Sequence, residues 1–154
     1  MVQPERKIIK SSALPEEISD WNTVSSFDGD VDGDGDDEKI TLVTSAERDR
    51  KGDFVWSDGQ NWALTVYDGE ECYLLYKEYV SAGYPYFEVS EYNTESGPVP
   101  QINLIVSGGA RLLMVSYGYS AENNGYEETV IYDTNVVSEG GVNRMHSSLP
   151  AYHK

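Results

Sequence analysis

"NWALTVYDGEECYLLYKEYV", residues 61 to 80, carries the periodicity that sets the fold class. Trp62, Leu64 and Val66 fall on alternate positions, which is one face of an extended chain, and an apolar, aromatic run resumes over 72–80. Between the two runs Asp68-Gly69 supplies the residue pair that a tight reversal needs. The stretch predicts a β-hairpin.

The same period extends in both directions. "KITLV" (39–43) sets Ile40 and Leu42 against Thr41 and Val43, and "YPYFEVSEY" (84–92) follows Gly83, with Pro85 directing it to a sheet edge or a strand start. "QINLIV" (101–106) and "RLLMVSY" (111–117), joined by "SGGA", predict a second hairpin whose near-continuous apolar strands belong at the centre of the structure. "YEETVIYD" (126–133) alternates once more. A helical signal appears only in "LPEEISDW" (14–21), with Pro15 at the first position, acids in the first turn, and Leu14, Ile18 and Trp21 on one side. That helix is expected to cap the edge of the domain.

The pattern predicts an all-β fold, mainly an antiparallel sandwich or barrel of seven or eight strands, with one short N-terminal helix. Residues 1–12 lack any period and read as a tail or tether, leaving 13–154 as a single β-rich domain. A chain of 154 residues can bury a core without disulfides. The lone cysteine, Cys72, sits in "CYLLY" and reads as a small buried hydrophobe.

Charge narrows the partners. Twenty-seven acidic residues against eleven basic ones give a net charge of -16, a field that repels phosphate backbones and anionic lipid headgroups. Nucleic acid is therefore not an expected partner. No apolar run reaches the roughly 18 residues of a membrane span, and the opening "MVQPERKIIKSS" has no apolar signal core. Either the protein is intracellular or a leader or lipid anchor has been removed.

"DGDVDGDGDDE" (28–38) holds seven carboxylates and three glycines. Two carboxylates about 4 Å apart repel by about 1 kcal/mol in water and about 4 kcal/mol at an effective dielectric of 20, so such a loop must extend or recruit a cation. Calcium takes about six to eight oxygens and needs carboxylates on alternate residues with glycine at the sharp bend. Two overlapping frames satisfy this: Asp28, Asp30, Asp32, Gly33 and Asp36, or Asp30, Asp32, Asp34, Gly35 and Glu38. The second places its last acid directly before "KITLV", where a strand can hold it. In that frame Asp30, Asp32, Asp34 and Glu38 offer side-chain oxygens and Asp36 a backbone carbonyl. An EF-hand is excluded, since position twelve of the loop would be Lys39 or Thr41. Magnesium, which retains waters and takes few protein ligands, fits the dense acidic loop less well.

"DVDGDGDDEKITL" resembles the D-x-D-x-D-G-x-x-D/E calcium loops of FG-GAP and VCBS-type repeats, found in integrin heads and secreted bacterial proteins. The resemblance covers residues 27 to 43. It implies a structural calcium ion held between β-strands by Asp30, Asp32, Asp34 and Glu38, with Asp36 acting through its carbonyl. The loop occurs once, whereas those proteins repeat it around a propeller, so a lone sandwich or barrel is the expectation here. The remainder looks like small secreted or lipid-anchored bacterial proteins. A calcium site of an extracellular module fills at roughly 0.1 to 1 mM ion, which favours an extracellular or cell-surface location.

Catalytic signatures are absent. His146 and His153 belong to no zinc motif, and there is no nucleophile elbow, P-loop or dinucleotide fingerprint. Glu70, Glu71, Glu78, Glu88 and Glu91 could supply a carboxylate pair for glycoside hydrolysis, but acids are common enough here to pair by chance. The leading expectation is a non-enzymatic, extracytoplasmic calcium-binding β domain for recognition or attachment at a cell surface. The rivals are a carbohydrate-binding module using exposed Trp56, Trp62 or tyrosines, and a hydrolase. Of the nine tyrosines in and beside the strands, about half are expected to pack the core.

Overall fold

The computed structural model describes residues 7–108 and 111–134. Along them run β1 (Lys7–Ile9), α1 (Glu16–Ser19), β2 (Asn22–Gly29), β3 (Glu38–Thr44), β4 (Glu47–Arg48), β5 (Phe54–Val55), β6 (Gly59–Asp68), β7 (Glu71–Ser81), β8 (Gly83–Thr94), β9 (Gly97–Gly108), β10 (Arg111–Ser120) and β11 (Gly125–Asp133). Eight of these strands span seven residues or more. The fold is all-β, as the alternation predicts, and every ladder among the described residues is antiparallel.

A five-stranded sheet runs β1-β11-β10-β9-β8, a four-stranded sheet runs β2-β3-β6-β7, and β4-β5 forms a small ribbon. The inner faces of the two large sheets share one core. Ile40, Leu42, Leu64, Val66 and Leu75 from the smaller sheet meet Ile102, Leu104, Val106, Leu113 and Val115 from the larger. Each such side chain contributes about 1.5 to 3 kcal/mol by leaving water. The hairpin over 101–117 takes the predicted interior place, and Pro85 lies on β8, an edge strand that pairs only with β9 among the described residues. The second-hairpin residues 109 and 110 lie outside the described residues, as do His146 and His153.

One irregularity explains the run "CYLLY". Leu64 pairs with Tyr76 and Thr65 with Leu74, so Leu75 is an extra residue in β7. This bulge resets the alternation, and Tyr73 and Leu75 before it, like Tyr76 and Val80 after it, are all buried in the core. Cys72 consequently falls on the opposite face and is only half-buried, not the fully buried hydrophobe expected; burial still pushes its thiol up.

Three placements differ from expectation. The helix α1 does not cap an edge. It lies over the outer face of the four-stranded sheet, where Ile18 packs with Val43 and Ala63, flanked by Leu14, Trp21 and Leu74, and Glu17 pairs with Lys77. Lys7–Ile9, within the segment read as a tail, pairs with Glu128–Tyr126 of β11 as an edge strand. Finally β2, whose residues 23 to 28 are all exposed, carries no alternation to announce it, yet it pairs along the length of β3. "KITLV" is therefore the second arm of a hairpin, and the acidic stretch is its loop.

Candidate metal centre

The β2–β3 hairpin closes on the pair Gly29 and Glu38, so both ends of the loop 30–37 are fixed by the sheet. Val31 turns into the core and is buried there, anchoring the loop over the end of the sandwich. The remaining geometry comes from backbone N–H groups that orient each carboxylate in turn. Asp30 accepts from the N–H of Gly33 at 2.7 Å and of Gly35 at 3.0 Å; Asp32 accepts from Asp34 N–H at 3.0 Å, and Asp34 from Asp36 N–H at 2.8 Å. Gly33 and Gly35 adopt φ of 82° and 92°, the left-handed region where a β-carbon is strained.

The result is convergence. One carboxylate oxygen from each of Asp30, Asp32, Asp34 and Glu38 lies within 4.8 Å of the others. Oxygens on opposite sides of a calcium ion, at about 2.3 to 2.6 Å each, stand about 4.6 to 5.2 Å apart, so the cluster has the dimension of that coordination sphere. Of the two frames, the one beginning at Asp30 is the one whose acids meet. Asp28 stays on β2 and faces Lys39 at 3.8 Å, and the Asp36 side chain is exposed and outside the four-carboxylate group.

Glu38 is the member that departs most from ordinary surface chemistry. It is 1% exposed, its Oε2 accepts a long contact from Val31 N–H at 3.4 Å, and its Oε1 is buried without a hydrogen-bond donor among the described residues. The group beside it is the Asp32 carboxylate, another acceptor. Burial, and then the hydrogen bond and charge of Asp32, push the Glu38 carboxyl up to about 8, so without a cation it holds a proton that it can donate to Asp32. For Asp32 burial acts in the same upward direction, but the bonds it accepts from Glu38 and from Asp34 N–H outweigh it and hold that carboxyl below the usual range. A buried acceptor with no donor is costly, and two adjacent carboxylates raise that cost. Either a proton or a cation must sit between them.

A second concave feature lies between the edge strands β2 and β8. It is a cleft of about 290 Å³ lined by Val24, Leu42, Trp56, Trp62, Tyr84 and Phe87, among others. Trp56 is 39% exposed and stacks on Trp62 with centroids 5.6 Å apart, while Tyr84 meets it edge-on at 5.1 Å. Trp62 itself is 1% exposed, which corrects its expected role as an exposed sugar-stacking ring: its position on the inner face of β6 commits it to the core. Tyr73, Tyr76, Tyr117 and Tyr126 are likewise buried, whereas Tyr79, Tyr86 and Tyr92 are exposed. Arg111 draws Glu78 into an ion pair at 2.5 Å, and Glu88 accepts from Ser90 and Asn103, which occupies two of the acids considered for a hydrolytic pair.

Comparisons with protein-family models, with curated proteins and with solved structures find no significant match to this chain.

Proposed function

We propose that the loop 30–38 binds one calcium ion through Asp30, Asp32, Asp34 and Glu38, with the Asp36 carbonyl as a further oxygen, and that the ion fixes the β2–β3 hairpin of an extracytoplasmic, non-enzymatic domain serving cell-surface recognition or attachment. The observation that carries the ion is the buried, donorless Oε1 of Glu38 inside a group of carboxylates of calcium dimensions. A cation supplies what that oxygen lacks, and the dense oxygen cage suits calcium over magnesium. The likeness of "DVDGDGDDEKITL" to FG-GAP and VCBS-type loops supports the same ligand set. The location follows from the ion, because such sites fill where calcium is about millimolar.

Equilibrium dialysis against calcium tests the binding. The reading expects about one ion per chain with a Kd of roughly 1 mM or tighter; no uptake at several times that concentration would remove the ion and, with it, the argument for location. Attachment is tested by binding of labelled protein to cell surfaces in calcium and in chelator, where equal binding in both would separate the ion from recognition.

The cleft beside Trp56 favours a second reading, a carbohydrate-binding surface in which that exposed indole stacks on a sugar ring. A glycan array probed with the parent and with Trp56→Ala decides it: signal lost in the variant supports the reading, and no glycan bound by the parent ends it.

A further inference from the structure

The strand register places more acid at this end of the sandwich than the loop alone contains. Lys39 pairs with Tyr67, so the same register continued by one residue sets Glu38 beside Asp68 on β6; Asp68 in turn pairs with Glu71 on β7. The faces agree. Glu38 shares its side of β3 with Ile40 and Leu42, Asp68 its side of β6 with Leu64 and Val66, and Glu71 its side of β7 with Tyr73 and Leu75, all core residues. Three acidic residues therefore stand in register at the ends of three adjacent strands, Glu38 buried, Asp68 half-buried and Glu71 exposed. Like charges side by side on neighbouring strands are unfavourable unless something lies between them. Tyr73 donates its hydroxyl to Glu71 at 3.1 Å, which satisfies one end of the row. The other end is Glu38 with its donorless oxygen. The middle residue, Asp68, is half-buried.

We propose that Asp68 is a further ligand of the loop's cation, reaching it directly or through one water, so that the ion clamps the β2–β3 loop to the β6–β7 hairpin. The inference rests on the calcium reading of the loop. Asp68 is not one of the four acids whose oxygens converge, and the strand register brings it to them from the sheet, beside Glu38. A carboxylate in that place adds an oxygen that the loop's own acids do not supply, and it joins the hairpin loop to a strand distant in sequence. Filling the site would then order two hairpins together.

Isothermal titration of the full chain with calcium tests this on the parent, Asp68→Asn and Glu70→Gln. Glu70 is exposed in the same turn, so its variant removes an equal charge without touching the row. The expected result is a Kd at least tenfold weaker for Asp68→Asn at unchanged stoichiometry, with Glu70→Gln within about twofold of the parent by screening of an exposed charge. Equal affinities for the two variants would overturn the role of Asp68 while leaving the loop site standing. No binding by the parent would remove both. Should Asp68→Asn fail to fold, carboxylate carbon shifts in the labelled parent answer the same question: calcium must move the Asp68 resonance and leave that of Glu70 in place, and an unmoved Asp68 refutes the proposal.

Discussion

At the scale of single residues, Glu38 decides the behaviour of the site. Its carboxyl is buried, its Oε1 has no donor among the described residues, and the neighbouring Asp32 opposes its ionisation. Glu38→Gln replaces the carboxyl with an amide that can donate to Asp32 but cannot ionise to bind a cation. Under chelation the variant should melt at or above the parent temperature, and calcium should no longer raise it. A calcium-induced rise equal to the parent's would show that Glu38 is not a ligand. Its place in the acidic group was legible in the sequence because the alternate carboxylates and glycines of "DVDGDGDDE" follow the local rule that a calcium loop would need. Asp68 was not. In the sequence it is one half of a turn dipeptide, and only the pairing of β3 with β6 brings it to Glu38. Trp62 shows the opposite error: an aromatic in an alternating strand says nothing of which face is buried until its partners are known.

Elements add the second level. The loop bends at Gly35 with φ of 92° and open space around the position where a β-carbon would be, so substitution there meets strain and no clash. Gly35→Ala should cost about 1 kcal/mol of the bound loop conformation, a roughly fivefold weaker calcium affinity, with the chelated protein changed little. A calcium titration reads it, and an unaltered Kd would mean that the bend is not needed for binding. The helix α1 makes a separate test, because it covers the outer face of the sheet and the loop lies at the inner one. Ile18→Ala should lower unfolding free energy by about 2 kcal/mol in urea, while the increment gained on adding calcium stays the same. Strands with one buried face were visible as alternation; β2 was not, because an edge strand exposed along its length has no apolar face to reveal it. The helix was visible but not its seat, since a stripe of Leu14, Ile18 and Trp21 records that something is covered and not what.

For the whole molecule, the two sheets supply most of the core, with Val31 of the loop packed into it, and the acidic end is where stability should respond to solution conditions. Seven carboxylates over residues 28–38, with Asp68 and Glu71 paired at the ends of neighbouring strands, concentrate repulsion at one end of a chain whose net charge is already -16. On the calcium proposal the ion offsets that repulsion and supplies a partner for Glu38, so it should act on the stability of the fold as a ligand bound only by the native state. The most direct test is thermal unfolding after chelation, with and without added calcium, on the parent and on an Asp32→Ala, Asp34→Ala double variant. The predicted result is a melting temperature that climbs with calcium in the parent and stays flat in the double variant. A parent indifferent to calcium, with the double variant melting alongside it at every concentration, would contradict the metal site and leave residues 28–38 as a solvated acidic loop.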